Sequence, residues 1–285
     1  MKARRALALA TVYLAAWAWA LPRLGAAQAV LVPIEPAQPA RYLLTTDVAD
    51  ARALWVNPAG LVRQVEASLG ADVTADRFVP GGATQLSQYG ATIANRGIAA
   101  GWAHDRYPKG PSLNTYIVGV GLGDERFSAG LARRWFAGAL KGSSWDVAVR
   151  VASRSGTQLS LVARNIGSPR LNDSTLLGAS LVPGALISML AGHLQAGGEW
   201  EVATRRWRSQ EIRFGGTVTV TDGVALSLRA DLSPDFQRRG FAVAVTLDGP
   251  KGRAGAFALL PGGANEVDAL GLSGALVTRA APARR

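Results

Sequence analysis

The chain of 285 residues contains no cysteine and only two histidines. Without thiols no disulfide framework can hold the fold, so stability must come from backbone pairing and packing. His104 and His193 show no metal-ligand spacing with one another, which leaves no zinc site to expect. A hydrolase would need a Ser-His pair with an orienting partner. Ser188 and His193 fall on opposite faces of one extended stretch, and His104 has only Asp105 beside it. No enzyme activity and no cofactor are therefore expected. Basic residues are plentiful but scattered singly, and a nucleic-acid partner would need a patch or stripe. Two larger patterns are missing as well. No long helical periodicity interrupts the chain after its first residues, and no repeat of roughly 40–50 residues marks propeller blades.

What is present begins with a segment to set aside. Lys2, Arg4 and Arg5 precede an uncharged, mostly apolar run from Ala6 to Leu21, and Ala27-Gln28-Ala29 supplies small residues at the spacing of a cleavage site. Residues 1–29 therefore read as a cleaved signal peptide. Removing Lys2, Arg4, Arg5 and Arg23 takes four positive charges from the formal +11 and leaves +7. Since no cysteine follows, a lipoprotein anchor is excluded.

From about residue 63 the dominant signal has period two. Trp145, Val147, Val149 and Val151 alternate with Ser144, Asp146, Ala148, Arg150 and Ala152. Ile212, Phe214, Val218 and Val220 alternate with Glu211, Arg213, Thr217 and Thr219, and Leu226 and Leu228 alternate with Ser227, Arg229 and Asp231. Each is a strand with one apolar and one polar face. Turn residues separate them at short intervals: Asn95-Arg96-Gly97, Pro108 to Pro111, Gly123-Asp124, Arg154-Ser155-Gly156, Gly167-Ser168-Pro169, Gly197-Gly198, Thr221-Asp222-Gly223, Ser233-Pro234-Asp235 and Asp248-Gly249-Pro250. About 14 strands result, with weaker alternation near Val73 to Ala91 and Ser180 to Leu194. "GVGLGD", Gly119 to Asp124, ends a strand with no helix after it, so it reads as small residues where space is needed and not as a phosphate loop.

Many consecutive hairpins imply an up-and-down sheet that closes on itself. Charges at Arg134, Asp146, Arg150, Arg164, Glu211, Arg213, Arg229 and Asp231 sit within strands, opposite Leu, Val, Ile, Phe or Trp. That pattern suits a transmembrane barrel with lipid outside and charge in the lumen, and Trp102, Tyr107, Tyr116, Trp135, Trp145, Trp200 and Trp207 near strand ends suit interfacial girdles. Arginines at lumen positions would bias an open pore towards anions.

One stretch breaks the alternation. "ALWVNPAGLV", Ala53 to Val62, is an apolar run punctuated at Asn57-Pro58, where a proline would end a helix or strand. Asn favours capping, Pro suits a first helical turn, and Gly60 permits a tight exit. The run "VADARALWVNPAGLVRQVEASLGADV", lying between the signal segment and the first strand, resembles the N-terminal region of the FadL/PorV superfamily of outer-membrane barrels, with Asn57-Pro58-Ala59 as its Asn-Pro-Ala element. "LSLVARNIGSP", Leu159 to Pro169, is similar to that family's strand ending in an Asn-x-Gly turn. The chain departs from the family in its short connections and in its end, "ALVTRAAPARR", which lacks a terminal aromatic.

The resemblance implies an all-β, up-and-down antiparallel barrel. Residues 30–62 would form a plug or hatch, 63–279 the barrel and 280–285 a basic tail. It also implies a bacterial outer-membrane location with lipid as partner, and passage of a small hydrophobic ligand. The alternative is a PorV-like accessory for secreted proteins or a structural barrel.

Overall fold

The computed structural model describes residues 42–48, 50–63, 67–77, 83–106, 112–138, 141–169, 177–205, 207–249, 251–261 and 267–278. The signal segment, Tyr107, the Pro108 to Pro111 turn and the tail 280–285 lie outside them. Among the described residues a four-residue helix, α1 (Ala53–Val56), and a 3₁₀ turn (Pro58–Arg63) come first, and the regular structure that follows, one short 3₁₀ turn at Leu190–Gly192 apart, is sheet: β1 (Ala67–Asp76), β2 (Gln85–Asn95), β3 (Ile98–Asp105), β4 (Leu113–Gly123), β5 (Phe127–Gly138), β6 (Gly142–Ala152), β7 (Thr157–Ile166), β8 (Ser180–Met189), β9 (Leu194–Ala203), β10 (Arg208–Thr221), β11 (Val224–Leu232), β12 (Arg238–Gly249), β13 (Gly252–Pro261) and β14 (Ala269–Thr278). Every neighbour in sequence pairs antiparallel. β14 returns to pair with β1, Ala67 opposite Thr278 and Asp76 opposite Ala269, which closes a barrel and leaves no free edge. Strands run from 8 to 14 residues, bracketing the roughly 9–11 that a tilted membrane strand needs.

The weak stretches of alternation resolve into ordinary strands. Residues 73–91 contain the end of β1, a connection and the start of β2. In 180–194, β8 is followed by a 3₁₀ turn at Leu190–Gly192 in which Leu190 and Ala191 take positive φ. The two ends of the barrel differ. At the rim that holds the start of β1 and the end of β14, connections are tight: Arg96-Gly97, Asp124 to Arg126, Ser153 to Gly156 and Asp222-Gly223. At the other rim four connections are longer, residues 77–84, 106–112, 167–179 and 262–268, and three are short, 139–141, 204–207 and 233–237. Short turns on one side and long loops on the other are the asymmetry of outer-membrane barrels, where the short side is periplasmic.

Apolar side chains look outward. Leu69, Val73, Ile93, Val118, Leu131, Val147, Val149, Leu161, Leu228, Val245, Leu270 and Leu272 are exposed around the wall, while their strand neighbours face in and are buried. An outer surface of this kind costs heavily in water and nothing in lipid. Most of the large outward aromatics gather at one rim, with Phe127 at the tight-turn rim and Phe214 in mid-wall as exceptions. Trp102, Tyr116, Trp135, Trp145, Trp200 and Phe241 all point outward near the long-loop ends of their strands, and Trp207 lies in a long-rim turn. Arg133 stands between Trp135 and Trp145, its guanidinium 5.1 and 5.0 Å from their rings, as cation–π contacts and an interfacial belt require. At the tight-turn rim Phe127 stands among aliphatics such as Ile98, Leu122, Val220, Leu247 and Leu276 in place of a full aromatic belt.

One consequence is measurable within β11. Leu228, its central residue, is 54% exposed on the outer wall. Leu228→Arg places a charge near the lipid midplane and will cost about 2–4 kcal/mol of folding free energy in vesicles, whereas Leu228→Ala, which leaves an apolar group in lipid, will cost less. Equal losses from both would argue against lipid contact at this position.

Candidate functional site

The described part of the N-terminal segment, residues 42–63, lies inside the barrel in its tight-turn half. α1 is wholly buried: Leu54 and Trp55 are inaccessible and pack with Ala99, Ala103, Ile117 and Ala132 of the inner wall. Asn57 is where two short helices meet. Its N–H donates to the Ala53 carbonyl at 2.8 Å and closes α1, and its Oδ1 accepts the Ala59 N–H at 3.1 Å and opens the 3₁₀ turn. Its Nδ2 donates to the Thr45 carbonyl at 2.9 Å, tying the turn back to the start of the segment. Pro58 fits because the residue before it is extended, with φ −156°. Gly60 has a different role from the tight exit its sequence context implies: a Cβ there would stand 2.3 Å from the Val48 carbonyl oxygen, so glycine is needed for close approach.

The inner wall is shaped to receive this segment. A Cβ on Gly130 would fall 2.2 Å from the backbone of Pro58 and Ala59, one on Gly119 would fall 2.6 Å from Leu54, and one on Gly101 would fall 2.7 Å from Trp55. Gly121 faces Pro58 and Leu61 at 3.0–3.1 Å. Gly119 and Gly121 of "GVGLGD" thus make room for a folded piece of the same chain, while Gly123 serves the turn with φ +121°.

Polar contacts then fix the segment around the circumference. The Trp55 indole donates to Thr92 Oγ1 of β2 at 2.8 Å. The Trp55 carbonyl accepts from Arg134 of β5 at 2.8 Å, and that of Val56 accepts from Arg164 of β7 at 3.3 Å. Thr45 N–H donates to Glu199 of β9 at 2.6 Å, Thr46 Oγ1 meets Ser160 Oγ of β7 at 2.8 Å, and the Leu43 carbonyl accepts from Arg229 of β11 at 3.2 Å. Tyr42 stacks on Phe257 of β13 with ring centres 4.5 Å apart. Asp50 pairs with Arg253 of β13 and with Arg52 beside it. Burial alone would raise the Asp50 pKa, but the charge and hydrogen bonds of Arg52, joined by Arg253, overcome that and hold it well below the usual carboxylate range. Asp47 shows the opposite balance. Its burial dominates and raises the pKa despite the bond it accepts from Thr217 Oγ1 at 3.3 Å.

The strand charges form the second layer. Arg134 and Asp146 make a buried pair at 2.6 Å. Asp146 sits at a bulge in β6, and its Oδ1 accepts the Asn165 N–H at 2.9 Å. Asn165, from the Asn-x-Gly element, takes φ +54°, which Asn tolerates better than most residues. Arg213 bonds Glu199 and Glu201, each at 2.9 Å, and also Glu211. Arg164 lies 3.8 Å from Glu201, and Arg229 bonds Asp231 at 2.7 Å. Arg150 is buried on oxygens of Ser128, Gln158 and the Glu125 carbonyl. Arg134, Arg164, Arg213 and Arg229 thus each have a carboxylate at hand, and the described wall offers little uncompensated guanidinium to carry an anion bias. Glu199 and Glu201 escaped the sequence reading, which put a turn at Gly197-Gly198 where β9 in fact runs straight through, pairing Gly197 with Gly215 and Gly198 with Phe214. Their signal was the alternation of Glu199 and Glu201 with Trp200 and Val202.

Neither a protein-family model nor a curated protein matches the sequence. Solved structures resemble the fold at very low identity. The CymD monoaromatic hydrocarbon channel matches with a TM-score of 0.56 and 8% identity over 82% of this chain and 94% of that one. The Pseudomonas putida toluene transporter TodX gives 0.48 and 11% over 79% and 91%, and a Pseudomonas aeruginosa FadL homologue gives 0.47 and 9% over 82% and 94%. The first of these carries the likeness, and it concerns the barrel fold alone.

Proposed function

We propose that this chain is a channel of the bacterial outer membrane, of FadL type, that passes small hydrophobic or amphiphilic molecules around an N-terminal plug. One observation carries the reading: a closed barrel with an apolar outer wall holds residues 42–63 across its lumen by contacts to strands on all sides. A structural barrel has no use for a lumen so arranged, since side chains alone could fill it, whereas a channel needs an obstruction that restricts flow. The fold likeness to a hydrocarbon channel agrees with a hydrophobic solute. The Asn57-Pro58-Ala59 element and the signal segment add the family and the export route.

The short connections favour a second reading. The longest, residues 167–179, is too small for a large capture domain, as a PorV-like accessory or a structural barrel would not need one. Planar-bilayer recording separates the two. The full chain is expected to show small conductance steps, and a variant lacking residues 42–56 several-fold larger ones. Silence of both, with the variant correctly folded, would reject the channel and leave the accessory role.

A further inference from the structure

The segment does not fill the lumen evenly. On the side away from the glycine-lined wall, a cavity of about 300 Å³ remains between it and β12, β13, β14, β1 and β2. That volume is at the lower end of the roughly 300–1,000 Å³ of small-molecule sites. Two inward residues of β1 line it without partners. Ser68 Oγ is buried and makes no hydrogen bond, although Ser68 is only 6% exposed. Asp72 is 9% exposed; among the described residues no hydrogen bond or ion pair reaches its carboxylate, and the charge of Arg52 acts on it only from farther off, opposed by that of Asp50.

The charges around the cavity do not balance. Arg253 is shared between Asp248 and Asp50, and Arg52 lies on Asp50 and donates to the Tyr42 hydroxyl at 2.5 Å. Both guanidiniums are thereby engaged, and Asp72 is the carboxylate left over. A buried charge without a partner is costly, and a cation brought by a ligand removes that cost. Ser68 and Asp72 share a face of the strand four residues apart, about 13 Å between Cα atoms at the usual rise of a strand. Gly70 lies between them with no side chain in the way, since a Cβ there would meet its neighbours only at 3.6–3.9 Å.

We infer that this cavity binds a small linear organic cation, with its ammonium on Asp72 and a second hydrogen-bonding group towards Ser68. The inference rests on the channel reading and names the class of solute that the lumen holds. The binding is tested by calorimetry on the full chain in detergent micelles, with aminohexanol, hexanediol and hydroxyhexanoate, which share a length and a hydroxyl and differ in charge. Aminohexanol alone should saturate a site. Asp72→Asn, which keeps shape and removes charge, should weaken it about tenfold, the loss of one charge-assisted contact. Ser68→Ala should weaken it less, and Gly70→Val, which sets an isopropyl group between Ser68 and Asp72 where the ligand must lie, should abolish it.

Equal binding of all three probes, no binding of aminohexanol to the unaltered chain, or unchanged affinity in Asp72→Asn and Gly70→Val would each overturn the site. Bilayer conductance of the same preparation is read separately. Binding without conductance removes the channel and keeps the site, and conductance without binding does the reverse.

Discussion

Asp146→Ala is expected to cost about 3–5 kcal/mol of barrel stability, the usual penalty for stripping a buried ion of its partner. Asp146 serves three groups at once. Its Oδ2 holds Arg134 Nη2 at 2.6 Å and Nε at 2.9 Å, and its Oδ1 replaces a ladder acceptor for Asn165 at the β6 bulge. Both partners of the ion pair are nearly inaccessible, at 4% and 2%, so water cannot take over from the lost carboxylate. Arg134 also holds the Trp55 carbonyl, and its displacement would loosen the segment as well as the wall. Urea titration of vesicle-folded protein measures the loss. The double variant Arg134→Met with Asp146→Leu should recover most of it, because removing both charges leaves none unpaired. A loss below about 1 kcal/mol from the single change would place the pair in a solvated lumen.

The largest expected change in permeability comes from Gly130→Val. A Cβ at this inward position of β5 would lie 2.2 Å from backbone atoms of Pro58 and Ala59, which cannot swing aside as a side chain can. Valine suits the strand, so the barrel should still close and the 3₁₀ turn should be the part that yields. Conductance should then approach that of the variant lacking residues 42–56. Gly178→Val is the matched control, because a Cβ there meets nothing within 4 Å. If Gly130→Val conducts like the unaltered chain, the segment does not obstruct the lumen.

Period-two alternation made the sheet legible because the barrel surrounds itself with lipid, which demands an unbroken apolar face on every strand. Thr221-Asp222-Gly223 gave its hairpin directly, since Gly223 supplies the positive φ of 83° that the turn requires. The lumen was half legible. Charges opposite Val, Leu or Phe stand out in β5, β6, β10 and β11, but which arginine meets which carboxylate depends on register across strands, and no single strand encodes that. Gly119 was legible as a place where space is needed, but Ser68, Asp72 and the glycines at 101 and 130 were unreadable for a further reason. Small inward residues carry no signal of their own until the piece of chain that packs on them is in place. Asn57 was legible as a turn, yet its bond to the Thr45 carbonyl and its place between two helices follow from packing.

The position of the inner segment in the chain has a consequence for assembly. Residues 42–63 precede every strand, yet their bonds reach partners far along the chain: Trp55 bonds Arg134 at a separation of 79 residues, Thr45 bonds Glu199 at 154 and Leu43 bonds Arg229 at 186. The segment thereby links strands that the sheet itself connects only through their neighbours, and the closed wall and its contents share contacts from β2 to β13. Contacts of such long range make folding slow.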